Sequence, residues 1–219
     1  MCGRRADRGQ AFPIYITVVA GLLFLAFVYF AVGQAAATRN GAQTAADAAA
    51  LAAAQDARDQ LRDGWLDVIT DPTQWGEFIN GERYLVDSAC RRAASFAAKN
   101  DATLSGRGCT RVPLGEEGFH VEVRTLQPVG TSLVPVTERQ HARATATAVI
   151  EPRCTFEAPE PTPEPPPEPP PGPEPTPDPT PTDPGPILGL RCAGESWEID
   201  PERPRLPSAV DLFTVRLAD

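Results

Sequence analysis

The order of apolar and polar positions divides the chain into stretches of different period. No charged residue occurs between Arg8 and Arg39, and from Ala11 to Gly33 nearly every residue is apolar. Read as a helix, that run covers ~34 Å at ~1.5 Å per residue, enough for a hydrocarbon core ~30 Å thick. Pro13 suits a first helical turn, and Tyr15 and Tyr29 lie towards the two ends, where interfacial aromatics gather. The run exceeds the ~7–15 apolar residues of a secretory signal core, so the expectation is a retained transmembrane helix. The small residues Ala35 to Ala37 mark the place where a cleavable signal would instead be cut.

The apolar run passes directly into "QAAATRNGAQTAADAAALAAAQDARDQLR", Gln34 to Arg62, with no proline and only Gly41 as a weak point. Alanine is the best helix former, so this stretch should continue the membrane helix as a rod, with Asp63-Gly64 as the stop. Asn40, Gln43, Thr44, Asp47, Leu51, Ala54, Arg58 and Leu61 recur at three- and four-residue steps. Gln43, Thr44, Asp47 and Leu51 form the candidate helix-packing motif of that stripe. Such a stripe could face a partner helix, or the helix could pack on its own small domain.

Further along, Asp71-Pro72 marks a helix start, with Trp75, Phe78 and Ile79 as anchors of a small core, in preference to a cofactor pocket. Leu85, Val86, Ala89, Ala93, Phe96 and Ala97 fall at helical spacing, and Asn100 is expected to close that helix in a left-handed cap. After Gly118 the period becomes two. Phe119, Val121 and Val123 alternate with His120, Glu122 and Arg124, and Ala142, Ala144, Ala146 and Ala148 alternate with Arg143, Thr145 and Thr147. Two antiparallel strands joined by the Pro128 to Gln140 connection follow. Phe213, Val215 and Leu217 add a third strand, completing a minimal sheet.

"APEPTPEPPPEPPPGPEPTPDPTPTDPGP", Ala158 to Pro186, can form neither helix nor central sheet and reads as an extended polyproline II spacer. The expected fold is therefore α+β: a single N-terminal transmembrane helix continuing into an Ala-rich helix, then a small helical plus antiparallel β exported domain with a disordered Pro-rich insertion. The divisions are a cytoplasmic basic leader (1–10), the transmembrane helix (11–33), the exported helix and α+β domain (34–157), the Pro-rich spacer (158–186) and a C-terminal segment with a strand returning to the sheet (187–219).

Charge and composition narrow the functional classes. A net charge of -9 and a sequence pI near 4.8 exclude a nucleic-acid surface, which needs clustered Lys and Arg. Arg4, Arg5 and Arg8 precede the span, which by the positive-inside rule keeps the N-terminus cytoplasmic and places the C-terminal domain outside the cell. Cys2 then lies inside, while Cys90, Cys109, Cys154 and Cys192 meet an oxidising exterior. Four cysteines allow three pairings, and the sequence alone does not choose among them. The favoured one joins Cys90 to Cys109, tying helix to sheet, and Cys154 to Cys192, closing the base of the proline tract. A metal site is disfavoured because no CxxC pair or neighbouring histidine accompanies these cysteines. His120 and His141 are the candidate general bases, but no serine or cysteine nucleophile pattern attends them, and "SGRGC", Ser105 to Cys109, reads as a turn without the context of a phosphate loop. No catalytic residue, cofactor or metal is expected.

The stretch "RGQAFPIYITVVAGLLFLAFVYFAVGQAAATRNGAQTAADAAALAAA" resembles the N-terminus of the TadE/TadG-like proteins of Flp (Tad) pilus assembly, which have a short basic leader, one span and an "AQTAADAAALAAA"-type helix, here Gln43 to Ala54. The resemblance covers roughly the first 55 residues; "CRRAASFAAKNDA", "GFHVEV" and "ARATATAVIEP" are similar to the exported portion of actinobacterial members, in keeping with the alanine-rich, lysine-poor composition. It implies a non-enzymatic, membrane-anchored component of pilus assembly, minor pilin-like or anchoring, with other pilus-assembly or pilin-like proteins as partners and self-association through the N-terminal helix as an option. In pilin-like relatives a peptidase cuts after a glycine followed five places later by glutamate. Gly9 stands at that place, but its fifth successor is Ile14, which points to an unprocessed, TadG-like chain. The contrasting reading is a secreted or wall-exposed binding module released by signal-like cleavage.

Overall fold

The computed structural model describes residues 11–112, 115–128, 140–157, 186–200 and 205–218. Gly9, the basic leader, Cys2, most of the Pro128 to Gln140 connection and the proline tract from 158 to 185 lie outside the described residues.

One helix, α1 (Ala11–Asp67, 57 residues), carries the chain from the apolar run through the alanine-rich stretch without interruption. From Ala42 onward its small side chains disappear from solvent: Ala45, Ala46, Ala49, Ala50, Ala53, Ala54 and Ala57 are all fully buried, followed by Leu61 and Trp65. Each alanine contributes little apolar area, but its lack of bulk lets neighbouring backbones approach on several sides at once. Helix α3 (Val86–Lys99) packs along α1 and presents its own small residues, Ala89, Ala93 and Ala97, all at 0% exposure.

The other flank of α1 is covered by a four-stranded antiparallel sheet in the order β1 (Ala102–Arg111), β2 (Glu117–Thr125), β3 (Arg143–Pro152) and β7 (Phe213–Leu217). Register follows the alternation of the sequence. Phe119, Val121 and Val123 pair with Ala148, Ala146 and Ala144 and point inward, while His120 and Glu122 pair with Thr147 and Thr145 on the outer face. A second sheet, β4 (Cys154–Phe156), β5 (Ile187–Cys192) and β6 (Glu195–Ile199), is also antiparallel, and short α2 (Trp75–Ile79) packs on β4 near the far end of α1. Helix α4 (Ala209–Leu212), closed by a Ser208/Asp211 capping box, leads into β7.

Several expectations are corrected. The helix does not stop at Asp63-Gly64: α1 runs to Asp67, because Gly64 lies against the Phe78 ring where a Cβ would collide, and that packing outweighs the ~1 kcal/mol propensity cost of a helical glycine. Asn100 caps α3 with φ -110, its side chain donating to Phe96 O at 2.9 Å, and the left-handed residue is Asp101 at φ 53. "SGRGC" is not a free turn. It is a bulge inside β1, where pairing breaks after Leu104 and resumes at Cys109, with Gly106 and Gly108 at φ 58 and 70. The sheet has four strands, and a second sheet accompanies it. Leu85 is the N-cap of α3 and is 71% exposed instead of contributing to the helix's apolar face.

Because α1 is enclosed by helix and sheet, enlarging one of its alanines should overpack the core. Ala53→Leu is expected to lower the unfolding free energy by about 1–3 kcal/mol, whereas Ala36→Leu, on the exposed stretch of the same helix, should be near neutral. Thermal unfolding of the full chain in detergent, followed by near-UV circular dichroism, reads the difference.

Candidate anchoring and assembly site

The first half of α1 exposes apolar side chains on every face. Phe12, Ile14, Tyr15, Leu22, Leu23, Phe24 and Tyr29 are all more than 60% exposed, and no part of the strongly apolar window is buried within the protein. Among the described residues this is the one helix long and apolar enough to cross a membrane. A helix that is apolar all round needs an apolar surrounding. Between this stretch and the first buried alanine lie only Gly33 to Gly41, a neck of about 13 Å carrying Gln34, Thr38, Arg39 and Asn40. No flexible stalk intervenes.

The four residues of the candidate packing motif sit where that neck enters the domain. Gln43 donates from Nε2 to Asp47 Oδ1 at 2.8 Å and to the Thr145 carbonyl of β3 at 3.2 Å, so it fixes the helix against the sheet. Thr44 donates back to the Asn40 carbonyl at 3.0 Å and is exposed, while Leu51 packs half-buried against the core. Ala54 and Leu61, further along the same stripe, are buried inside the chain's own domain. Within one chain the stripe therefore turns from solvent into the core.

The disulfides Cys90–Cys109 and Cys154–Cys192 brace the domain at two places. The first fastens α3 to β1 where pairing resumes after the bulge; the second joins directly paired residues of β4 and β5. Since β4 and β5 are antiparallel and Glu157 N donates to Gly189 O at 3.1 Å, the segment between them leaves and re-enters the fold at one point. That point belongs to the far end of α1: the Phe156 ring packs against Trp75 at 4.7 Å, tilted by 53°, and Trp75 meets Trp65 edge-on at 5.3 Å and donates from Nε1 to Val68 O at 3.1 Å.

His120 lies on β2, whereas His141 precedes the first residue of β3 by two positions instead of lying on a strand, and the two are engaged separately. His120 Nδ1 lies 3.0 Å from Thr147 Oγ1, and His141 Nδ1 lies 2.7 Å from the Thr125 carbonyl. Among the described residues no three His, Cys, Asp or Glu side chains gather as a metal site.

A polar cluster that sequence reasoning missed lies where the segment before α3 meets the end of β1 and the start of β2. Tyr84 donates to Glu117 Oε2 at 2.9 Å, Arg111 Nε donates to the same oxygen at 2.7 Å, and the Arg111 guanidinium stacks 4.9 Å above the Tyr84 ring. Arg111 and Glu117 lie six residues apart, at the end of β1 and the start of β2, but Tyr84 comes from the segment before α3, 33 residues from Glu117, so only the fold unites the three. Burial, first, and the hydrogen bond to Glu117, second, push the Tyr84 hydroxyl well above its ordinary value, and the bond to Glu117 holds the Arg111 guanidinium above its own. A phenol whose folded-state pKa is raised stabilises the fold fully below its unfolded pKa and loses that contribution as pH rises beyond it. Stability of the full chain should accordingly fall above about pH 10, and Tyr84→Phe should flatten that fall. Denaturation at stepped alkaline pH measures it.

Neither a curated protein nor a solved structure matches the chain. The stretch that does match known proteins coincides with the helix just described: residues 9–56, comprising the apolar run, the neck and the first buried alanines of α1, match the TadE/G-like Flp pilus-assembly family.

Proposed function

We propose that this chain is a non-enzymatic, membrane-anchored component of Flp/Tad-type pilus assembly, held N-terminus inside, that presents its disulfide-braced domain at the outer membrane face. The observation that carries the reading is the continuity of α1: one helix supplies both the apolar anchor and the buried alanine spine of the domain, and the family match falls on that helix. A rigid neck transmits position and orientation from lipid to domain, which suits a part that must present a surface to other subunits. Pilin-like or assembly proteins are the partners, met by the exposed anchor within the membrane or by the domain above it. The histidines carry no catalysis in this reading, being tied to a threonine hydroxyl and a backbone carbonyl.

The described residues that border the proline tract, Phe156 and Glu157 on one side and β5 on the other, lie beside the Trp65 and Trp75 pair at the end of α1 remote from the apolar run, which is the membrane-distal side in this reading. One observation favours the alternative of a released binding module. Ala35 to Ala37 are exposed and precede the first buried residue, Ala42, so a cut there would leave the core whole.

Fractionation with N-terminal sequencing separates the two. The anchored component is expected wholly in the membrane fraction, resistant to alkaline extraction, with residues before Ala11 retained, and its deletion should abolish surface pili. His120→Ala with His141→Ala should leave piliation intact. A chain found in the medium beginning between Ala36 and Thr38 would establish the released module instead.

A further inference from the structure

The end of the domain nearest the apolar run can be located from its hydrogen bonds. Gln43 binds Thr145 O near the start of β3, while at the other end Arg62 Nε donates to Pro207 O at 3.3 Å beside α4, whose Leu212 carbonyl accepts from Arg153 N just after β3. Strand β3 therefore runs in the same sense as α1. Helix α3 runs oppositely: Gln60 and Leu85 exchange hydrogen bonds at its N-terminus, and at its C-terminus Asp101 O accepts from Leu126 N, next to Thr125, which binds Ala142 O. Lys99, Arg124 and Arg143 consequently collect at the edge of the domain facing the neck, where Arg39 also projects.

Distances along the helix place this edge close to the lipid. Arg39 is six residues past Gly33, ~9 Å along the axis. Thr145 is level with Gln43, ~15 Å along, and Arg143 lies two strand residues, ~7 Å, nearer to the apolar run. Arg124 is paired with Arg143 across the sheet. The polar headgroup layer occupies ~5–7 Å beyond the hydrocarbon, so these long side chains end within its reach.

The charge of the edge runs against that of the chain. All four cations are exposed, and among the described residues Arg39, Lys99 and Arg124 make no ion pair; Arg143 reaches Glu122 at 3.9 Å. Among the described residues Asp47, bound to Gln43, Asp101 and Glu122 stand against these four, leaving a net positive rim on a protein of net charge -9. Leu126, two residues beyond Arg124, is 51% exposed on the same edge. Cations with an adjacent exposed leucine, held by a rigid neck at headgroup height, match the phosphates of acidic phospholipids.

We propose that Arg39, Lys99, Arg124 and Arg143, with Leu126, form a second membrane contact that seats the domain on anionic phospholipid headgroups. It rests on the anchored reading of α1. The seat fixes the tilt and rotation of the domain, which one helix through the bilayer leaves free, so lipid composition would govern how the distal face is presented.

The test uses the full chain reconstituted into nanodiscs of phosphatidylcholine alone or mixed with phosphatidylglycerol, read by hydrogen exchange. Each basic side chain near an anionic surface is worth about fivefold in association, so exchange across 99–103, 124–128 and 140–145 should slow at least about fivefold in the anionic discs. The protection should vanish near 1 M salt, where the screening length is ~3 Å, and in Lys99→Gln/Arg124→Gln/Arg143→Gln, with exchange around Leu85 unchanged throughout. Equal exchange in both lipids, in chains that co-elute with the discs, overturns the seat while leaving the anchor intact. Failure of the chain to enter discs of either composition overturns the anchor and the seat together.

Discussion

The structure depends on the burial of a helix built from alanine. A helix carrying leucines at those positions would hold its neighbours farther off, and neither α3 nor the β2/β3 pair could close on it as they do; the fully buried alanines between Ala45 and Ala57 show how near they come. Small side chains contribute little hydrophobic energy apiece, so such a core is thin. It is reinforced by larger groups at the far end, Leu61, Trp65, Trp75 and Phe213, and by two covalent links. In the chain-entropy picture, loops of the lengths those links close contribute about 3–4 kcal/mol each, a large addition for a domain of this size.

The same constraint ties fold to placement. Because the buried spine and the exposed apolar stretch are one helix, the domain cannot turn relative to that stretch without breaking α1 or its packing. Gln43 marks the transition: it still faces solvent, yet it binds the sheet backbone. Everything on the domain acquires a height above the apolar stretch, from the Arg124/Arg143 pair near the neck to the Trp75/Phe156 contact where the proline segment departs. Two sheets and four cysteines thus become a scaffold with a near end and a far end.

Much of this was legible in the sequence, and the failures have physical causes. The long apolar helix, the alanine rod, α3 and the β2/β3 pair announce themselves through unbroken period, and Asp71-Pro72 opens a short helical turn because Asp71 accepts from Thr73 N. Strand β1 was hidden because Gly106 and Gly108 read as a turn, although their positive φ values only loop the chain out before pairing resumes at Cys109. Strands β4 to β6 are short: β4 is separated from its partner β5 by the proline tract, so no local pattern links Phe156 to Leu190, while β5 and β6 form a hairpin across Ala193-Gly194, both at positive φ, a two-residue signal that is easily passed over. Gly64 looked like a stop because its tertiary neighbour, Phe78, lies outside any local window. At the candidate site the packing motif was visible as spacing, but which faces it meets, and the Tyr84, Arg111 and Glu117 cluster, depend on long-range register.

The most direct measurement of the central claim is the length of the rod. Spin labels at Leu25→Cys and Gln55→Cys in a Cys2→Ser background, with the full chain in nanodiscs, sample exposed positions on either side of the neck. Thirty helical residues span ~45 Å, and pulsed dipolar spectroscopy should give one narrow distribution near that distance. A broad distribution, or a peak well short of it, would mean that the neck bends or melts, and the account of a single helix carrying the domain's position would be wrong.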